Sequence, residues 1–274
     1  MIKFIKSTLA FMSLGIAAGS AAYADECEIF VGVVPQFQQR HILTAWTPFL
    51  AELGDRTQCS YTLVGSANIP EFETQFKSGL FDFVYLNPYH FVVAADVEGY
   101  VPIVRSGSKM LQGVLVVRKD SGIESIVELD GREVAFPSPN ALGASLLMRT
   151  ELAMLHGVQV VPKYVTTHNS VYLHVFKEIT LAGGGIERSL NGEKPQIGDQ
   201  LKILYRTQKV NAHPIAVHPR IDPLLRDKIK KSIIDISQTM PTLTDDIPMR
   251  EAVAASFEDY MTLSDLGLEQ FAAD

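Results

Sequence analysis

Gly113-Val114-Leu115-Val116-Val117-Arg118-Lys119 is an unbroken apolar run closed by two cations, and its β-branched content makes it a buried strand. What flanks it decides the fold. Upstream, strand-like runs at 29–34, 61–64 and 83–85 alternate with helical patterns at 44–53 and 71–77. Downstream, Gly122 and Asp130-Gly131 mark a fresh start. A second series follows: a strand at 133–136, a helix at 143–156, a strand at 163–166 and a helix beginning near Ser170. Further strands are expected at 201–205 and 215–217, with a helical segment from Pro223 onward. Two strand–helix series joined by extended segments predict an α/β protein of two lobes with a ligand cleft between them. Residues 113–119 would leave the first lobe. The expected division is a leader at 1–24, lobe 1 from 25–112 plus 219–274, and lobe 2 from 113–218, crossing strands included.

The leader reading rests on Lys3 and Lys6, an apolar stretch at 9–22 and the small-residue pattern Ala22-Tyr23-Ala24. This is the pattern of a secretory signal peptide cut after Ala24, and it predicts export to the periplasm. A retained membrane anchor is the competing reading, but the apolar core is short and rich in Ala, Gly and Ser. Asp25-Glu26 ahead of Cys27 argues against lipid attachment. The chain carries 24 basic and 31 acidic residues, a net charge of −7. Loss of Lys3 and Lys6 makes the mature chain more negative still. Such a surface attracts neither nucleic acid nor anionic lipid, so any anion must be held by a local site.

Both cysteines open β-rich runs, Cys27 ahead of 29–34 and Cys59 ahead of 61–64. If these strands lie side by side in a parallel sheet, the two cysteines share one edge. An oxidising compartment then favours a Cys27–Cys59 disulfide over a pair of free thiols binding a soft metal, since no third ligand lies close in sequence.

Ligands of open α/β sheets bind beyond the carboxyl ends of the strands, where helix N-termini offer unpaired N–H groups. Three turns occupy that position. Phe136-Pro137-Ser138-Pro139-Asn140-Ala141-Leu142-Gly143 offers a helix start, with Ser138 and Asn140 as ligand contacts or as simple caps. Thr166-Thr167-His168-Asn169-Ser170 sets a histidine among short polar groups suited to a small oxygen-rich ligand. Tyr85-Leu86-Asn87-Pro88-Tyr89-His90 ends the central strand of the first lobe; Tyr85 and Asn87 are candidates, while Tyr89 and His90 also fit packing beneath a helix. Gly183-Gly184-Gly185 allows either close backbone approach to a ligand or a hinge. His213 and His218 are five apart on a strand and so point to opposite faces, against a shared metal. No nucleophile elbow, Walker loop or zinc-protease motif is present, and no catalytic residue, cofactor or metal ligand is assigned.

Taken together, Gly32-Val33-Val34-Pro35, Trp46-Thr47-Pro48-Phe49-Leu50, Asp82-Phe83-Val84-Tyr85-Leu86-Asn87, Val116-Val117-Arg118-Lys119-Asp120, Leu129-Asp130-Gly131-Arg132-Glu133-Val134-Ala135-Phe136 and Thr167-His168 resemble the phosphate, phosphite and phosphonate type of substrate-binding protein that serves ABC importers. The resemblance implies a type II periplasmic binding fold whose lobes close on a small ligand without covalent chemistry. It implies that Tyr85 and His168 hold the ligand head group from opposite lobes. It also places a hydroxyl-rich Ser/Thr cluster where this chain has Asn140, Ala141 and Leu142, a tyrosine near Asn68 or Ile69, and polar residues for a ligand amine where Gly183, Gly184 and Gly185 stand. The departures disfavour an amine-bearing phosphonate.

The expected function is therefore capture of a small oxyanion or phosphonate-like polar ligand, with Tyr85, Asn87, Ser138, Asn140, His168, Asn169 and Ser170 as the binding set and an ABC permease as partner. The alternative is a sensory protein of the same fold that presents its ligand to a membrane sensor kinase. An exported hydrolase would need a nucleophile or ligand set that the sequence does not assemble.

Overall fold

The computed structural model describes residues 27–273; the expected leader and its cut after Ala24 lie outside them. The chain begins with β1 (Glu28–Val33), α1 (Gln39–Thr57), β2 (Ser60–Val64), α2 (Ile69–Lys77), β3 (Phe83–Tyr85), α3 (Pro88–Glu98) and β4 (Val101–Ser106). It continues through β5 (Leu111–Arg118), β6 (Glu133–Phe136), a π-turn at Leu142–Leu146 running into α4 (Leu147–His156), β7 (Val161–Tyr164), α5 (His168–Phe176) and β8 (Ala182–Ile186). Short α6 (Glu187–Asn191) and α7 (Pro195–Gly198) precede β9 (Leu201–Val210) and β10 (Pro214–Val217). The remainder holds α8 (Pro223–Thr239), α9 (Thr242–Asp245), β11 (Ala252–Ala254) and α10 (Glu258–Met261).

Two sheets result, ordered β11-β4-β10-β3-β1-β2 and β7-β6-β8-β5-β9. The two-lobed α/β expectation holds, with β5 opening the second sheet. One strand falls elsewhere than expected. β10, placed with lobe 2 in the reading of 113–218, inserts antiparallel between β3 and β4 of the first sheet, so the return crossing is complete before Pro214. Two strands escaped the sequence reading. In β4, Pro102 breaks the strand signal, and it is accommodated where the β10 pairing shifts register beside Ala216. β11 is three residues long and interrupts the helical C-terminal segment.

Helices α2, α3 and α5 each begin on a side-chain cap, with Asn68 accepting from the Glu71 N–H, Asn87 from His90 and Thr167 from Ser170. Their apolar faces pack onto the sheets. Sheet 2 is covered on one face by α4, through Met148 and Leu152, and on the other by α5, through Val171, Tyr172 and Val175. The largest core belongs to lobe 1 but takes in Leu111, Ala141, Leu142, Ala144 and Ile186 from the other side of the cleft. The two lobes therefore share apolar contact.

The three glycines of β8 are explained by packing. A Cβ on Gly184 would lie 2.0 Å from the Ala144 carbonyl oxygen, and one on Gly113 of β5 would lie 2.0 Å from that of Gly143. On the opposite face, a Cβ at Gly185 would meet the Tyr172 hydroxyl at 2.1 Å. Neither a hinge nor ligand approach is needed to account for them. Gly184→Ala is expected to destabilise the protein by at least about 1–3 kcal/mol, the usual cost of forced overpacking, seen as a lower urea midpoint; an unchanged midpoint would show that the π-turn can lift off the sheet freely.

β1 and β2 pair in parallel, Glu28 opposite Ser60, and the Cys27 and Cys59 Cα atoms are 4.6 Å apart across a disulfide. The bridge joins positions 32 residues apart, a loop whose closure in the unfolded chain is worth about 3–4 kcal/mol on chain-entropy grounds. Cys27→Ala/Cys59→Ala is expected to lose stability of that order, and thiol labelling of the unreduced wild type to add no mass; labelling without denaturation would refute the bridge.

Candidate functional site

The carboxyl ends of β1, β3, β6 and β7 converge on the gap between the lobes, as the doubly wound topology requires. At its centre is a narrow void of about 10 Å³, walled by Asn87 of lobe 1, the backbone of residues 141–144, His168 and His213. Beside it, sharing Gln36, Leu111, Ile186 and His213 as walls, opens a chamber of about 330 Å³.

The π-turn delivers the main-chain groups. Ser145 and Leu146 both donate to the Ala141 carbonyl, at 2.8 and 3.2 Å, so the N–H groups of Leu142, Gly143 and Ala144 precede the first helical donor and are left free of the helix ladder. Ala141 supplies no side-chain cap. The residues that carry these N–H groups line the central void, at the positive end of the helix dipole.

His168 stands at the start of α5 and is 1% exposed. Its Nδ1 lies 3.1 Å from Ser189 Oγ, which in turn lies 2.6 Å from the Tyr172 hydroxyl. The Ile186 carbonyl also accepts from this pair, lying 3.1 Å from the Tyr172 hydroxyl and 2.9 Å from Ser189 Oγ; when Tyr172 takes that acceptor and Ser189 donates to Nδ1, the neutral ring carries its proton on Nε2, and when Ser189 donates to Ile186 the proton is on Nδ1. Burial pushes the His168 pKa down to about 4, so the ring is uncharged at neutral pH. His213 was not among the residues singled out for binding. It accepts a 2.8 Å hydrogen bond from Gln36 at Nε2 and stacks on Tyr85 with ring centroids 5.3 Å apart. Burial, aided by the nearby His90, Arg188 and His168, pushes its pKa down to about 3. Tyr85 faces the chamber, its hydroxyl pKa raised by burial and partly offset by the Arg188 charge.

The other expected site residues divide. Asn87 caps α3 and donates to the Asn140 carbonyl at 3.0 Å, tying the lobes together. Asn140 donates to the Ala273 carbonyl, accepts from the Ala273 N–H, both at 2.9 Å, and reaches Glu73 at 3.3 Å. Its amide is thus engaged with the C-terminal segment and caps nothing. Ser138 is buried with no partner for Oγ among the described residues, and it too caps no helix. Asn169 and Ser170 turn away from His168 into a separate, wider cleft; Asn169 binds Glu193 at 2.8 Å and Ser170 bonds Thr167. His90 pairs with Glu73 at 2.8 Å beneath α3, and His218 meets Glu98 at 3.4 Å, far from His213 in role.

Arg188, missed by the sequence reading, borders both the chamber and the wider cleft. It reaches across from α6 to donate to the Asp246 carbonyl at 2.6 Å and lies 5.5 Å over the Phe37 ring. Its only sequence signal was its place just after the glycine strand.

Two lobes of this topology, with a chamber lined from both sides of the cleft, have the architecture of a two-lobed binding protein. Residues 31–260 match the family described as ABC transporter, phosphonate, periplasmic substrate-binding protein, and the chain belongs to that family. Its fold is similar to that of PhnD1 from Prochlorococcus marinus, solved with methylphosphonate, at a TM-score of 0.81 and 16% identity over 89% of this chain and 98% of that one. It is also similar to a binding component of a phosphonate ABC transporter from Pseudomonas aeruginosa, at 0.79 and 13% identity over 88% and 86%. A chloride-bound protein of Xanthomonas citri follows at 0.74 and 15% identity over 89% and 98%.

An unfolded histidine takes up its proton near pH 6.5, whereas His168 and His213 resist until about pH 4 and 3. Between these values the unfolded chain binds more protons, so the stability they confer is full above pH 6.5 and is lost as pH falls. Each ring contributes at most about 1.4 kcal/mol per pH unit. Urea midpoints between pH 7 and 4.5 are expected to fall less steeply in His213→Gln than in wild type; parallel curves would show that the native ring is not held neutral.

Proposed function

We propose that this protein captures a small phosphonate-class anion in the periplasm and hands it to an ABC permease, with the head group held where the chamber meets the π-turn. The observation that carries the reading is that Leu142, Gly143 and Ala144 at the helix start and His168 line one small void, next to a chamber faced by Tyr85. An oxyanion suits such a set: main-chain N–H groups and a neutral imidazole N–H donate, and none of them brings a competing negative charge. The void itself is smaller than a phosphonate head group, so binding needs the lobes to part and reclose around the ligand. Ligand contacts on both sides then favour the closed arrangement.

Few hydroxyls surround the head group, and Ala141 and Leu142 leave selectivity to main-chain donors and to the shape of the apolar walls. Family membership supports the transport role; presentation to a sensor kinase has no feature of the site in its favour. Asn87 and Asn140 serve in this reading as ties that hold the lobes and the turn in place, Tyr85 and His168 as ligand contacts.

Titration calorimetry with methylphosphonate, ethylphosphonate, phosphite, phosphate and sulfate is expected to give saturable binding for at least one phosphonate. His168→Ala should weaken it about 10- to 100-fold, the worth of a hydrogen bond to a charged group, with the fold retained by circular dichroism. Unchanged affinity in that variant would remove His168 from the site, and silence across all five anions would overturn the ligand class.

A further inference from the structure

The chamber's cations stand apart from the void at the π-turn, whose lining includes none of them. Lys109, Arg188 and Arg250 face the chamber, against a single carboxylate, Asp245. In a chain of net charge −7, a cavity with two more cations than anions is a local inversion. Arg250 is committed to Asp245 in an ion pair, and Lys109 lies close enough to help hold the Asp245 carboxyl below its usual range, after the larger effect of Arg250. Lys109 and Arg250 are exposed, at the rim. Arg188 is half-buried, donates only to a backbone carbonyl and pairs with no carboxylate among the described residues. A guanidinium withdrawn from water in this way is stabilised by an anion that enters the cavity.

The wall also carries an apolar set, Met110, Leu111, Ile247 and Pro248, beside the polar Gln36, Ser106 and His213. That apolar set suits a short hydrocarbon body. We infer that the ligand is a bifunctional organic anion, a phosphonate with a second anionic group, a carboxylate, on a short carbon chain, whose far end is held by Arg188 and Lys109. The inference rests on the head-group reading above. It deepens that reading by naming the substrate class: an amine at the far end is repelled and a carboxylate is drawn in.

The test compares ligands of equal carbon number by calorimetry on the full mature protein: phosphonoacetate against ethylphosphonate and 3-phosphonopropionate against propylphosphonate, with 2-aminoethylphosphonate as the opposite-charge probe. The expected result is at least tenfold tighter binding of one carboxylated member than of its alkyl partner, no gain for the amine, and a gain that shrinks as salt rises. The affinity ratio should fall towards one in Lys109→Gln and in Arg188→Gln. Alkylphosphonates that bind as tightly as their carboxylated partners would overturn the inference while leaving the head-group site intact. Failure of every phosphonate would overturn both, and phosphonate binding with a ratio unchanged in the two variants would show that the far end is held elsewhere.

Discussion

The backbone of residues 142–146 lies directly on the second sheet, and most of the site's geometry depends on that contact. The Gly143 and Ala144 carbonyls sit where Cβ atoms of Gly113 and Gly184 would be, so β5 and β8 must both present glycine at those positions. With the turn pressed down, Ser145 and Leu146 share one acceptor in a π-type start, and the three preceding residues line the void of the cleft. A single methyl on either strand would lift the turn and move every one of those residues. Tyr172 exploits the opposite face of the same strand, where Gly185 leaves room for the hydroxyl that bonds Ser189 and through it His168. Gly184 and Gly185 of β8, with Gly113 of β5, thus shape both halves of the site.

Charge is distributed in a complementary way. Burial costs an imidazolium far more than a neutral imidazole, and both His168 and His213 are held neutral for that reason. They act as oriented polar groups, held in place by Ser189 and Gln36. Net positive charge comes instead from the helix start and from Arg188, which stays partly in water. A protein whose overall field repels anions can still hold one, because these sources are close to the ligand and screened from the rest of the surface.

Much of this was legible in the sequence. Alternating strand and helix signals gave the two lobes, and the positions of Cys27 and Cys59 at the heads of neighbouring strands gave the bridge. Tyr85 and His168 follow from the rule that strand carboxyl ends face the cleft. What failed to show was long-range partnering. Asn140 looks like a cap in one dimension, yet it is claimed by Ala273, 133 residues away. Asn169 and Ser170 neighbour His168 in sequence but occupy successive helical positions, so they point elsewhere. His213 and Arg188 carry no local pattern that marks them for the cleft; only the return of β10 to the first sheet and the reach of the Arg188 side chain from α6 to the Asp246 carbonyl give them their places. β4 and β11 were hidden by a proline and by brevity.

The ties between the lobes explain why a small ligand can govern their closure. Asn87 to the Asn140 carbonyl, Asn140 to Ala273, Arg149 to the Phe271 carbonyl at 2.8 Å and Arg188 to the Asp246 carbonyl all cross the cleft or bind the C-terminal segment to the turn. Each is a hydrogen bond whose partners regain water on opening, worth about 1 kcal/mol net or a little more for the two arginines. The apolar contact through Leu111, Ala141, Leu142 and Ile186 adds attraction without direction. Closure held by such terms lies within the range that one bound anion can shift, since a ligand moves an equilibrium by the difference in its contacts with the two states. Because Asn140 grips the C-terminal segment with its side chain while its carbonyl receives Asn87, parting the lobes must disturb the approach to the π-turn itself. On the proposed reading, an anion that contacts the π-turn rewards closure more than one that does not.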